Sequence, residues 1–254
     1  MLDAYHVLED TMPSLTVSAI VLRGVNYRDN DRMLTLLTPS LGRIDVLSRG
    51  CRRPKSPLLS ASEVFCTGEY VLFSQHDKNV LTTCTLHDSF YPLRLDYGLL
   101  SCGAYMLNLA EAAAQPGEDA SALFWLLVKT LHRLAYGKED RKSLLSCYLL
   151  HYASFLGYRP RLYHCVCCGK KLSETAPVTF DCEAGGLACA SCQGIKNSPP
   201  LKSGQAHWLR TVFQNGPESS IDLRGEDAPF DSLRCFVETH LDKPIKGGPV
   251  WEDA

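Results

Sequence analysis

Apolar positions fall into two regimes along this chain. From residue 15 to about residue 90 they come in short runs rich in β-branched and aromatic side chains, at 15–22 (LTVSAIVL), 33–38 (MLTLLT), 43–48 (RIDVLS), 62–73 and 80–86, separated by turn formers. Pro39, Ser40, Leu41 and Gly42 read as a hairpin connection, with Gly42 available for a positive φ. About five strands in so short a stretch predict a small closed barrel, because closure removes the sheet edges. An OB-like and an SH3-like barrel fit that strand count equally. Beyond residue 94 the period becomes helical, over 95–114, 120–136 and 140–156. The last is the clearest, with Leu145, Leu149, Tyr152 and Leu156 spaced by three and four. Gly157 and Pro160 stop it, Gln115-Pro116-Gly117 separates the first two helices, and Ser121 or Asp119 is placed to cap the second. A last amphipathic segment, 230–241, is expected to pack back on the bundle.

Composition narrows the class. With 254 residues, 45% hydrophobic and 21% charged, the chain can build more than one core and does not read as disordered. No basic start with an apolar run opens it, and no run of eighteen apolar residues occurs, so neither a secretory leader nor a membrane span is expected. Twelve cysteines are then read in a reducing cytoplasm, as metal ligands or small buried hydrophobes.

Four of those cysteines form two matched pairs, Cys165-x-x-Cys168 and Cys189-x-x-Cys192. Such spacing lets two tight turns present four thiolates to one zinc ion; Gly169 and Gly194 suit the turns. Four thiolates fill the tetrahedron and leave no position for water, so the site is expected to be structural, with its binding energy coupled to folding. Cys167 lies inside the first pair and His164 beside it. Spacing alone leaves a register through either open, although Cys167 would shorten the gap to one residue or none.

A net charge of -2 argues against a protein that coats nucleic acid by bulk charge. The local distribution differs: Arg43, Arg49, Arg52, Arg53 and Lys55 stand against the single acid Asp45. On its own, such a run is as well explained by a solvated loop as by a phosphate-binding patch. Among nearby aromatics, Phe65, Tyr70 and Phe73 belong to apolar runs and read as barrel core, whereas Tyr27, in the polar stretch 26–31, is the better stacking candidate. Arg159, Arg161, Lys170 and Lys171 flank the first cysteine pair, where a solvated knuckle exterior outweighs a nucleic-acid path. No phosphate loop is present, Gly169-Lys170-Lys171 matching only its end, and no histidine opens the patterns of a zinc deaminase or metalloprotease.

Four segments in order, LTPSLGRIDVLSRGCRRPKS (37–56), LLHYASFLGYRPRLYHCVCCG (149–169), GGLACASC (185–192) and RCFVETHLDKPIKG (234–247), resemble the bacterial recombination mediator family RecO, and the resemblance extends over most of the chain's length. The resemblance implies an α+β multidomain chain: an N-terminal OB-fold barrel over 1–92, a helical bundle over 93–161 carrying a four-cysteine zinc knuckle over 162–196, and a C-terminal helical segment over 197–254. It further implies a non-enzymatic DNA repair and recombination protein that binds single- and double-stranded DNA and anneals complementary strands without ATP. With its partner RecR, such a protein helps load recombinase onto strands covered by single-strand binding protein, in the bacterial cytoplasm at the nucleoid. One structural Zn2+ would sit on Cys165, Cys168, Cys189 and Cys192, and DNA on Arg43, Arg49, Arg52, Arg53, Lys55 and Tyr27. The competing reading is a zinc-knuckle DNA-binding regulator or protein adaptor.

Overall fold

A computed structural model describes residues 14–75, 78–174, 176–192, 201–202, 204–218, 227–241, 245 and 247–251. Gly194, the end of the expected knuckle at 193–196, the Pro199-Pro200 pair and the N-terminal thirteen residues lie outside them. Two compact units emerge, residues 1–38 with 43–89, and residues 39–42 with 90–254.

The first unit is a closed five-stranded barrel of β1 (Ser14–Tyr27), β2 (Asp31–Thr38), β3 (Gly42–Ser48), β4 (Thr67–Gln75) and β5 (Lys78–Asp88), in the order β1-β2-β3-β5-β4. Strand β4 returns antiparallel to β1, and β3 runs parallel to β5. This is the OB-like arrangement. Strand β1 is long enough to pair with both neighbours, its first half with β4 and its second with β2, and a register shift between Val21 and Arg23 bends it so that the sheet can close. The core is dry and apolar: Ile20, Leu34, Leu36, Val46 and Leu72 are all fully buried.

Two sequence expectations change here. Strand β1 runs on past Leu22 to Tyr27 through Gly24 and Asn26, because cross-strand pairing with β2 overrides their weak β preference. The run expected as one strand over 62–73 splits. Residues Ser60–Ser62 form a 3-10 turn, Phe65 takes a left-handed φ of 74°, and β4 begins only at Thr67. Burial explains the apolar run without a ladder, since Phe65 is buried and its N–H donates to the Val21 oxygen at 3.0 Å.

In the second unit α1 (Tyr97–Ala113), α2 (Ser121–Tyr136) and α3 (Arg141–Phe155) pack together. Asp96 and Asp140 cap α1 and α3 by accepting from the Leu99 and Ser143 N–H groups at 2.8 and 2.7 Å. Ahead of α2, Asp119 accepts from the N–H of Ser121 at 3.1 Å, while Ala120 occupies the N-cap position itself. The α3 face expected from spacing buries Leu145, Leu149 and Tyr152 completely, and Tyr152 donates its hydroxyl to the Leu109 oxygen of α1 at 2.8 Å.

After α3 comes a small hairpin, β6 (Val178–Asp181) and β7 (Gly186–Cys189), followed by α4 (Gln205–Asn215) and α5 (Phe230–Thr239). The helical segment expected over 197–254 includes α4 without singling it out as an element, although Ala206, Leu209 and Val212 are buried at a spacing of three. Helix α5 packs on α3 and reaches the hairpin through an edge-on contact of Phe236 with Phe180, centroids 5.6 Å apart. Burying Phe230, Leu233 and Phe236 contributes about 1.5–3 kcal/mol each. No described helix is long and apolar enough to cross a membrane.

Candidate metal centre and nucleic-acid interface

The metal centre is assembled by two tight turns. After His164 the chain reverses so that Gly169 N–H donates to the Cys165 oxygen at 2.9 Å and Cys165 N–H to the Lys170 oxygen at 2.8 Å, with Gly169 at φ 73°. The second pair spans the end of β7 and a 3-10 turn, Ala190–Cys192. Val166 N–H donates to the Leu187 oxygen at 2.9 Å, pinning one turn against the other.

The outcome is four sulfur atoms, on Cys165, Cys168, Cys189 and Cys192, all within 4.8 Å of one another. Cys168 and Cys189 sulfurs are 3.8 Å apart, which excludes a disulfide. It equals the edge of a tetrahedron with metal–sulfur bonds of about 2.3 Å. Burial raises the Cys165 thiol, yet main-chain N–H groups of Cys168, Cys189 and Cys167 outweigh it and bring that thiol down to about 6. Main-chain N–H groups aimed at the Cys165 sulfur and four sulfur donors gathered in one place fit a metal ion, and these four residues could hold one. Cys167 is exposed and outside the quartet, its thiol held above the ordinary range by desolvation and then by neighbouring Cys165. His164 is likewise outside it, and Cys182 is buried, donating to the Ser232 oxygen.

On the barrel, the five cationic candidates divide. Arg49, Arg52, Arg53 and Lys55 are exposed on the loop that leaves β3, and among the described residues none of them is ion-paired with a carboxylate. That loop is fastened to the β1–β2 turn: Arg52 donates from N–H to the Asn30 oxygen and from Nη1 to the Asp29 oxygen, each at 3.0 Å, and Gly50 N–H donates to Asp31 Oδ1 at 2.8 Å. Tyr27, 42% exposed, ends β1 at the same corner. Arg43 is not part of it, since it begins β3 and stands roughly 20 Å along the strand from Arg49.

Arg28 belongs to the corner and was missed, because a single arginine in a polar turn carries no pattern. Its guanidinium lies 5.1 Å from the centroid of the Tyr27 ring, and its φ of 53° turns the hairpin. Strand alternation gives the corner an outward face as well. Arg23, Val25 and Tyr27 share it, Val25 pairs with exposed Met33, and Thr35 donates to Asp45 Oδ1 at 2.9 Å, which places Asp45 and Arg43 of β3 on that face too. Ending β1 at residue 22 hid this stripe. Of the three aromatics expected in the core, Tyr70 is buried, donating to the oxygens of Ala61 and Cys66, and Phe65 is buried, whereas Phe73, near the end of β4, is only half-buried.

Residues 12–90 match the family model described as "Recombination protein O N terminal", and residues 94–249 the one described as "Recombination protein O C terminal". The chain belongs to the RecO family. It is 33% identical over 181 residues to DNA repair protein RecO of Alkaliphilus metalliredigens, covering 71% of this chain and 73% of that protein. Against DNA repair protein RecO of Anaeromyxobacter sp. strain K the identity is 31% over 242 residues, 92% and 94% of the two chains. With that of Acetivibrio thermocellus it is 26% over 237 residues, 92% and 93%. RecO membership accords with the OB-like barrel and the sulfur quartet, and relatives of this length bear the name of DNA repair proteins, not of enzymes.

Proposed function

We propose that this RecO-family chain is a recombination mediator in DNA repair. It binds single- and double-stranded DNA, anneals complementary strands without ATP and, with RecR, helps load recombinase onto strands covered by single-strand binding protein, in the cytoplasm at the nucleoid. The observation that carries the reading is the corner where the Arg49 to Lys55 loop is tied to the Tyr27 turn, because a single strand needs both a cationic rim and a stackable ring. In OB-like barrels the first hairpin loop and the adjoining strand face are the usual place for oligonucleotides. Arg49, Arg52, Arg53 and Lys55 meet phosphates there, Tyr27 meets a base, and Arg43 contacts the strand farther along the outward face of β3.

Annealing follows from shielding. Two backbones repel each other, and cations that neutralise phosphates while leaving base edges exposed lower that barrier without an energy source. RecR and single-strand binding protein enter through family membership, supported by relatives named as DNA repair proteins. Zinc is the metal assigned to Cys165, Cys168, Cys189 and Cys192, supported by four sulfur donors and the 3.8 Å edge. When bound, it supplies a structural crosslink between the two turns and no reactive position.

The test is a fluorescence strand-annealing assay across a salt series, with the wild-type protein and Arg52→Ala/Arg53→Ala. Annealing by the wild type that weakens with salt, and a marked loss in the variant, is expected. Equal rates would remove the corner from the mechanism.

A further inference from the structure

The segment leading into the metal turns carries chemistry that the barrel corner does not use. From 159 to 163 exposure alternates: Arg159, Arg161 and Tyr163 face solvent, while Pro160 and Leu162 are buried. The segment is held extended along β7, with Arg161 N–H donating to the Gly185 oxygen and Leu187 N–H to the Arg161 oxygen, both at 2.9 Å. Gly186 comes so close that a Cβ there would stand 2.3 Å from the Arg161 oxygen. Extended backbone sets alternate side chains on one side about 6.6 Å apart, so two cations and a phenol ring form a row. A bridge between His164 and Lys171 adds a further exposed cation beyond the ring.

The row is braced from α4. Arg210, only 7% exposed, donates from Nε to the Leu162 oxygen at 2.9 Å and lies 5.7 Å from the centroid of the Tyr163 ring. Its Nη2 is buried with no hydrogen-bond partner among the described residues. Arg159 in turn lies 5.1 Å from the centroid of the Phe213 ring. No acidic residue occurs from 158 to 172, and among the described residues Arg159, Arg161 and Lys171 are in no ion pair with a carboxylate.

Balancing the charge of four thiolates would account for cations near the quartet. It gives no reason for an exposed aromatic ring, 39% accessible, set in register with them and backed by a buried guanidinium. Cations set in a row beside a stackable ring meet the requirement of a single strand, which offers a phosphate charge and a base face at every step.

We propose that the Arg159, Arg161 and Tyr163 row, continued by Lys171, is a second single-strand nucleic-acid site that holds the complementary strand during annealing. This rests on the reading of the chain as a DNA-annealing protein and goes beyond it by naming where the other strand is held. The test uses the full metal-loaded chain saturated on an immobilised single strand, scored for capture of a second, labelled, non-complementary strand. Affinity for the first strand and annealing rate are measured in parallel.

Arg161→Ala/Tyr163→Ala is expected to keep first-strand affinity within about twofold and to lose capture and annealing by about tenfold or more, the scale of one lost base stack. Arg159→Ala/Lys171→Ala leaves the Tyr163 and Arg210 contact intact and should lose capture as well; it decides the matter if the first variant loses its metal or its thermal transition. Unchanged capture in a folded variant overturns the proposal, as does loss of RecR binding with capture intact, which would assign the row to a protein partner. A wild type that binds one strand and never a second overturns the second site alone. One that binds no strand overturns the proposed function too.

Discussion

Arg52 reaches back across the chain to Asp29, its Nη1 donating to the main-chain oxygen at 3.0 Å, so the cationic loop and the Tyr27 turn move as one corner. Arg52→Ala/Arg53→Ala should weaken single-strand binding and flatten its salt dependence. If Arg49, Arg52, Arg53 and Lys55 each meet a phosphate, the slope of log K against log salt is roughly -3, and losing two contacts leaves about half of it. Stability should fall by no more than about 1 kcal/mol, the scale of one exposed hydrogen bond. Fluorescence anisotropy over a salt series, with a thermal melt, checks both; an unaltered slope would refute the assignment.

One zinc per chain is expected, and Cys189→Ser should lose it. Cys189 closes β7, and its N–H also donates to Cys165 Sγ at 3.4 Å, so the hairpin and the first turn come apart together. In isolated zinc peptides such a site is worth about 10–16 kcal/mol coupled to folding, and the variant should be insoluble or partly unfolded. Metal analysis of the purified wild type, followed by chelation and circular dichroism, is the check. A wild type with no bound metal contradicts it.

Acid should destabilise the second unit through His151. Burial lowers this imidazole to about 4 in the fold, from an ordinary 6.5, where it stacks on Phe213. The folded form therefore stays neutral while the unfolded chain takes up a proton. Stability is full above pH 6.5 and falls as pH drops towards 4, by up to about 3 kcal/mol. Thermal melts from pH 7 to 4 should show a shallower acid loss for His151→Phe than for wild type, and parallel curves would refute this.

Annealing should proceed at the same rate with and without ATP, because the sequence carries no phosphate loop. A strict nucleotide requirement in the same fluorescence assay would contradict it.

Gly186→Ala should disrupt the hairpin that carries the second cysteine pair. The added methyl would meet the Arg161 oxygen at 2.3 Å and Val166 Cγ1 at 2.8 Å, contacts that backbone can relieve only by separating the strands. Reduced metal content and a lower melting temperature are expected. A variant with full metal content and an unchanged melt would show that the approach is not tight.

What the sequence by itself determined is what neighbouring residues enforce. The two cysteine pairs and the α3 face of Leu145, Leu149 and Tyr152 depend on spacings of three and four, and spacing is written in the chain. Helix α4 and the far half of β1 escaped because their support comes from distant partners: β2 holds Gly24 and Asn26 in a ladder, and Trp208 and Leu209 gain their burial from packing. Only the tertiary structure could bring Cys168 to Cys189, tie Arg52 to Asp29, set Arg43 apart from the corner, and lay Arg210 against Tyr163. Each of these joins residues whose separation along the chain says nothing about distance. Barrel closure and helix packing fix that distance, through burial that no local pattern encodes.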